Sequence, residues 1–414
     1  MEPRTAKNLL LHVNGKEYRL DTPPVVGICL DGTGPGYLEA AKASMPNLRK
    51  MVARGAFGIA NSVIPSYTNP NNIAIATGVT SDINGICGNF YCDAASGKEV
   101  MMDDPRYLRC PTLFSAFAEA GRSVAVITTK EKLRRLLGDK LKGICFSVEQ
   151  AEQATLAEHG IENIAQFCLG PIPGIYDVEA SIYCVNAGAS LLERGLADFL
   201  YLSTTDFVQH KYAPGTEVAN QFYGDIDKAL GRLDAMGAIV VVTADHGMNQ
   251  KTLPDGTPRI QFLETLLIEA GFLNASVLLP ITDPYVVHHG GLGSYATVYL
   301  REDDKARAAT MLRSVPGVDL VLTKEEALSR FCLPSDRIGD VIVLADQFTT
   351  FGRTPDWHDL SGVRTGLRSH GGLHERSVPF LINRRLRPQY ARRLSSGEAN
   401  NYELFDFALN GIAT

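Results

Sequence analysis

The chain has 414 residues, 45% of them apolar and 21% charged, with a formal net charge of −6 at pH 7. Those values describe a globular chain long enough for two or three domains and exclude a basic footprint for nucleic acid or an anionic membrane. The opening "MEPRTAKNLLLHVNGKEYRL" lacks a signal-peptide core and no apolar run reaches about 18 residues, so a soluble, cytoplasmic protein is expected.

In chain order, "PVVGICL" (24–30) reads as a strand buried on both faces, and it ends in Asp31 of "LDGTGPG". "MPNLRKMVARG" has helical spacing and closes on glycine. "NSVIPSYTNPNNIAIATG" (61–78) then sets Ser66, Tyr67 and Thr68 before a helix-like run. A hydroxyl at a helix N-terminus meets backbone N–H groups suited to an anion, although Thr68 taken alone reads more readily as a helix cap. After the helix "CPTLFSAFAEAG", the strand "SVAVIT" (123–128) leads into Lys130 and Lys132. These are two cations at a strand end, or else the start of a solvated basic helix that continues through Arg134 and Arg135.

Helix "EASIYCVNAGASLLERG" precedes the strand "DFLYLST" (198–204), which runs into Asp206 and, four residues on, His210. On one helical turn those two side chains face the same way. A long helix, "EVANQFYGDIDKALGRLDAMG", leads to "AIVVVT" (238–243) and the adjacent acid and base Asp245 and His246. Residues 293–340 next read strand, helix, strand, helix as a small unit of their own. The expected division is an inserted cap domain at 262–337 and a core made of 1–261 with 338–414. His288 and His289 lie at the cap entry as hinge residues, with His289 a candidate substrate contact. "DVIVLA" (340–345) is expected to return to the core sheet, followed by His370 and His374 of "LRSHGGLHERSVPF" and the strand "SVPFLIN" (377–383).

Strands alternating with helices argue an α/β fold, a mostly parallel central sheet flanked by helices, with a small α+β insertion. In such a sheet functional groups gather beyond the C-terminal strand ends. Each strand-end aspartate has an ordinary reading as a turn or capping residue. Three together would repel one another unless a cation lay among them. Asp31, Asp206, His210, Asp245, His246 and one further histidine make six ligands, too many for one tetrahedral ion and suited to two. Mixed carboxylate and imidazole donors favour zinc, with manganese or iron behind it. The eight cysteines (29, 87, 92, 110, 145, 168, 184 and 332) form no C-x-x-C pair, and several lie in apolar runs, so they are expected to be buried thiols.

"IPSYTNPNNIAIATGVTSDINGICGNFYCD" resembles the nucleophile region of the alkaline phosphatase superfamily, in its nucleotide pyrophosphatase/phosphodiesterase-like branch. "LDG", "DxxxH", "ADHGM" and "SHGGL" follow in that family's order, from about residue 24 to 385. The resemblance implies an alkaline-phosphatase-like core with Thr68 as nucleophile, Pro70-Asn71 and Thr77-Gly78 beside it, and Asn89 holding a phosphoryl oxygen. Asn84 stands where the family often has histidine. It further implies two Zn2+ per chain, Mn2+ or Fe2+ being substitutes. One ion falls to Asp31, Thr68, Asp245 and His246, the other to Asp206, His210 and His370, which is favoured over His374. "PSYTNPNNIAIATG", "GICGNFY" and "ATVYL" most resemble enzymes that split the carbon–phosphorus bond of phosphonoacetate into acetate and phosphate. That resemblance implies a phospho-threonine intermediate. An alkyl carbanion is a poor leaving group, and Lys130 and Lys132 are expected to clamp the carboxylate that delocalises it.

The expected partner is therefore a small phosphonate, with no nucleic acid and no membrane, and a homodimer is compatible with the chain. Two rivals stand beside this reading: a nucleotide phosphodiesterase, which needs an aromatic slot and no Lys130, and a non-catalytic metal-dependent binding protein. A sulfatase would need an arginine that "TNPNN" lacks, and a phosphoglycerate mutase would have serine at the position of Thr68. "GTGPG" (32–36) does not have the spacing of a dinucleotide-binding loop.

Overall fold

The computed structural model describes residues 10–167, 170–281, 290–363 and 366–413. Eleven strands matter for the site: β1 (Val25–Cys29), β2 (Ala56–Asn61), β3 (Val124–Thr128), β4 (Ile144–Ser147), β5 (Phe199–Ser203), β6 (Ile239–Thr243), β7 (Ser276–Leu278), β8 (Tyr295–Tyr299), β9 (Val318–Thr323), β10 (Val341–Ala345) and β11 (Ser377–Ile382). Seven of them form the central sheet in the order β2-β11-β6-β1-β5-β3-β4. Neighbours from β6 through β4 are parallel, whereas β11 runs antiparallel to both β6 and β2. β1, β3, β5 and β6 are buried at every residue, which is why they read as unbroken apolar runs.

Helices cover both faces. They are α1 (Pro46–Arg54), α2 (Thr68–Thr77), α3 (Leu113–Glu119), α4 (Glu131–Leu137), α5 (Glu179–Glu193), α6 (Phe207–Lys211) and α7 (Glu217–Ala235). Along β1, Val26 and Ile28 join the apolar layer under α1, α5 and α7, while Val25 and Cys29 join the layer that holds Ile73 and Phe114. That alternation is the two-residue period of a strand sandwiched between helices.

The other four strands form an antiparallel sheet in the order β7-β8-β10-β9. Here the structure corrects one expectation. Val341–Ala345 does not return to the central sheet but sits between β8 and β9, beyond residue 337. Its residues are all buried, and an apolar run of that kind has no periodicity to say which sheet it enters. Val277, Val298 and Ile342 of this smaller sheet also belong to the same apolar cluster as Val25 and Ile73 of the core.

Among the described residues no helix is long and apolar enough to cross a membrane. Seven described cysteines are free thiols; Cys168 lies outside the described residues, as do His288 and His289.

Candidate metal centre and active site

Because β6, β1 and β5 are adjacent and parallel, their ends bring Asp245 with His246, Asp31, and Asp206 side by side. All four are at most 3% exposed. Gly32 makes this closeness feasible. It has φ +70°, and a Cβ there would lie 2.9 Å from that of Asp206. Its N–H donates to Asp245 Oδ1 at 3.1 Å. Asp206 precedes α6, and His210 one turn on places Nε2 3.0 Å from Asp206 Oδ2. His370 reaches the same oxygen at 3.7 Å. On the other side His246 Nε2 lies 3.2 Å from Asp31 Oδ1 and 3.8 Å from Asp245 Oδ2. Two buried groups result, Asp206–His210–His370 and Asp31–Asp245–His246, each with donor atoms within 4.8 Å of one another.

All three imidazoles are turned the same way. Nδ1 donates to a backbone carbonyl in each: Arg368 O at 2.8 Å for His210, Gly247 O at 2.9 Å for His246 and Ser66 O at 2.9 Å for His370. A carbonyl can only accept, so Nδ1 of each ring carries a proton and Nε2 is the atom turned toward the carboxylates. The His246 and His370 rings, one from each group, stack face to face with centroids 3.6 Å apart at 6°.

Electrostatically the cluster is short of positive charge. Burial, and then Asp31 nearby, push Asp245 well above the usual carboxylate range. Burial opposes charge on His246, yet Asp245 and Asp31 lift its imidazole to about 9. Burial and the neighbouring His246 hold His370 well below its ordinary value. Asp31 Oδ1 is a buried carboxylate oxygen with no hydrogen-bond donor among the described residues. An orphaned oxygen among oriented Nε2 atoms fits the donor set of a divalent cation.

Thr68 is the first residue of α2, and its hydroxyl is not spent on capping: Tyr67 is the N-cap, without a side-chain bond. Thr68 Oγ1 instead lies 3.4 Å from His246 Nε2. A cavity of about 640 Å³ opens over it, lined among others by Thr68, Asn89, Lys130, Lys132, Asp206 and His370. Asn89 Nδ2 donates to Ile281 O at 3.2 Å, which leaves its second N–H for the cavity, and its Oδ1 is without a partner among the described residues.

Lys130 is placed differently from a free clamp. Its ammonium bridges the centre, 3.2 Å from Asp31 Oδ2 and 3.1 Å from Asp206 Oδ1. Burial works against its charge, but Asp206 and Asp31 hold its pKa well above the usual lysine range. The lysine uses the carboxylate oxygens that do not face the histidines. His374 lies away from the cluster, half-exposed, with Nε2 3.2 Å from Asp319.

Sequence reasoning missed Asn72. It lies one turn beyond Thr68 on α2 and is fully buried. Its Nδ2 donates to Asp245 Oδ2 at 3.1 Å and to Thr68 O at 3.0 Å. Its Oδ1 accepts from Tyr201 OH at 2.7 Å and Ser203 Oγ at 2.8 Å. Its only signal in the chain is the i, i+4 spacing from Thr68. Asn72→Ala strips partners from several buried groups at once, so we expect a loss of about 2–4 kcal/mol in unfolding free energy, read from urea midpoints.

A family model described as type I phosphodiesterase / nucleotide pyrophosphatase matches residues 25–134 and 196–373. The phosphonoacetate hydrolase of Sinorhizobium meliloti 1021, solved with phosphonoformate and with phosphonoacetate, is 46% identical. It aligns over 98% of this chain and 99% of its own with a TM-score of 0.93. Murine ectonucleotide pyrophosphatase/phosphodiesterase 5, solved as an inactive form with AMP, aligns over 95% of this chain and 96% of its own. At 18% identity and a TM-score of 0.61 it shares the fold.

Proposed function

We propose that this chain, which belongs to the type I phosphodiesterase / nucleotide pyrophosphatase family, hydrolyses the carbon–phosphorus bond of phosphonoacetate to acetate and phosphate. The single observation that carries the reading is the convergence of two Asp/His groups beside a hydroxyl at the floor of one cavity. The phosphonoacetate-bound relative, alike over nearly the whole chain, supports the substrate.

Asp31, Asp245, His246 and Thr68 would hold one Zn2+ and Asp206, His210 and His370 the other, and the bound pair supplies Lewis acidity that favours an alkoxide and polarises a phosphoryl oxygen. Thr68 Oγ1 forms a bond to phosphorus as the P–C bond breaks, and its proton is lost to solvent. The electron pair of the broken bond stays on carbon, delocalised into the adjacent carboxylate, and a proton from water completes acetate. Water then attacks the phospho-threonine, releasing phosphate and restoring the hydroxyl. The second N–H of Asn89 and the backbone N–H groups opening α2 hold phosphoryl oxygens. Lys130 has three N–H donors, two of them on Asp31 and Asp206, and its third with Lys132 grips the substrate carboxylate.

A second reading has one observation in its favour. The rings of Tyr176 and Phe207, 6.1 Å apart, line the same cavity as an aromatic wall, which a nucleotide phosphodiesterase would use for a base.

Elemental analysis of the purified chain should find about two zinc ions per chain, the number that two such donor sets hold. Phosphate release should favour phosphonoacetate over a nitrophenyl phosphodiester. Fewer than about one ion per chain, with no uptake on adding metal, would remove the metal centre; preference for the diester would establish the second reading.

A further inference from the structure

Lys251 and Glu375 form a buried ionisable pair that takes no part in the chemistry above. Both side chains are 0% exposed, with Lys251 Nζ 2.9 Å from Glu375 Oε1. Sealing an ion pair away from water is rarely the most stable way to fill a space, and apolar residues often serve as well or better. Its worth must then lie in the backbone it fixes.

The pair fixes the segments carrying two of the three clustered histidines. Glu375 Oε2 accepts from Gly372 N at 3.0 Å, two residues past His370. The backbone carbonyl of Glu375 accepts from Gly247 N at 2.7 Å, directly after His246. Asn249 Nδ2 donates to Glu375 Oε1 at 2.6 Å. Lys251 Nζ also donates to Gln347 O at 2.9 Å, just beyond β10 of the smaller sheet.

The loop so held lies on the nucleophile segment. Ser66 N donates to Gly371 O at 3.1 Å and Ser66 Oγ to Gly372 O at 3.0 Å. Gly371 sits at φ +117°, and a Cβ there would meet the Tyr67 ring at 2.3 Å. Little slack is left between this loop and Thr68.

We infer that Lys251 and Glu375 are a positioning pair: they hold the loop after His370 so that His370 Nε2 faces Asp206 and the backbone before Thr68 is aligned. This rests on the reading of His370 as a metal ligand. The pair touches neither substrate nor metal and acts through Gly372 and Gly247.

The test is zinc titration of the metal-free full-length chain against a competing chelator, with circular dichroism to confirm folding. The variants are Glu375→Gln, Lys251→Met, Asn249→Ala and, as reference, His370→Ala. Wild type should take up two equivalents. In Glu375→Gln and Lys251→Met, the equivalent that His370→Ala loses should bind about 10–100-fold more weakly, with the other within about threefold. Asn249→Ala removes one donor from Glu375 and keeps the ion pair. It should weaken the same equivalent by about threefold to tenfold, and it supplies the reading if the charge variants do not fold. A lesser stability with both affinities unchanged in folded Glu375→Gln or Asn249→Ala would overturn the inference alone. A wild type that takes up no zinc would remove the metal centre itself and the inference with it.

Discussion

Thr68→Ala should lower phosphonoacetate turnover by at least about 10⁴-fold while leaving the fold in place. The hydroxyl is the one nucleophile of the proposed reaction, so nothing nearby can take its part. The side chain is also structurally expendable. Tyr67 is the N-cap of α2, Thr68 Oγ1 makes no capping bond, and alanine is at least as good a helix former as threonine. We expect a stability change below about 1 kcal/mol. Zinc content should stay near that of wild type, because Asp31, Asp245 and His246 remain. Acid quench of the wild-type enzyme during turnover should trap phosphate covalently on the protein, and none should be trapped on the variant. Thr68→Ser keeps a hydroxyl and should retain measurable turnover. Activity of Thr68→Ala above about a tenth of wild type would mean that water attacks phosphorus directly and that Thr68 serves only to bind. A chain that merely bound a phosphonate would show no turnover to lose.

Much of this grouping is legible in the sequence. Strands buried on both faces carry a strong one-dimensional signal, and their ends are where a parallel sheet collects its polar groups. Asp31, Asp206 and the Asp245–His246 pair therefore stood out as ends of apolar runs. What the chain could not convey is adjacency. Nothing in "DVIVLA" distinguishes a strand of the central sheet from one between β8 and β9. The short partly buried β2 and the four-residue β4 passed unnoticed for the opposite reason, since neither carries a long apolar run. Side-chain partnerships were less legible still. Asn72 looks like any polar residue at the start of a helix, yet it ties Thr68 to Asp245. Lys251 and Glu375 are 124 residues apart and meet only because their two loops fold over the same end of the sheet.

Lys130→Ala should separate carbon–phosphorus cleavage from ester hydrolysis. An alkoxide or phenolate leaving group bears its charge on oxygen and needs no help from a remote carboxylate. The carbanion expelled from phosphonoacetate is tolerable only as its charge spreads into the carboxylate, and a cation against that group is worth more in the transition state than in the ground state. Losing one such desolvated charge contact costs about 4 kcal/mol, or about 10³-fold in kcat/KM for phosphonoacetate. Turnover of a nitrophenyl phosphodiester should change by less than about tenfold. The structure supplies the control this experiment needs, because Lys130 also lies between Asp31 and Asp206. Removing it leaves those carboxylates with less positive charge nearby and hence more avid for metal, so zinc content should not fall. Lys132→Ala, at the second cation lining the same cavity, should show the same substrate bias with a smaller loss. If zinc content held while both substrates lost activity equally, Lys130 would belong to the general electrostatics of the metal centre. If phosphonoacetate turnover survived and diester turnover vanished, the carboxylate clamp would be wrong and the aromatic wall of Tyr176 and Phe207 would mark the true leaving-group site.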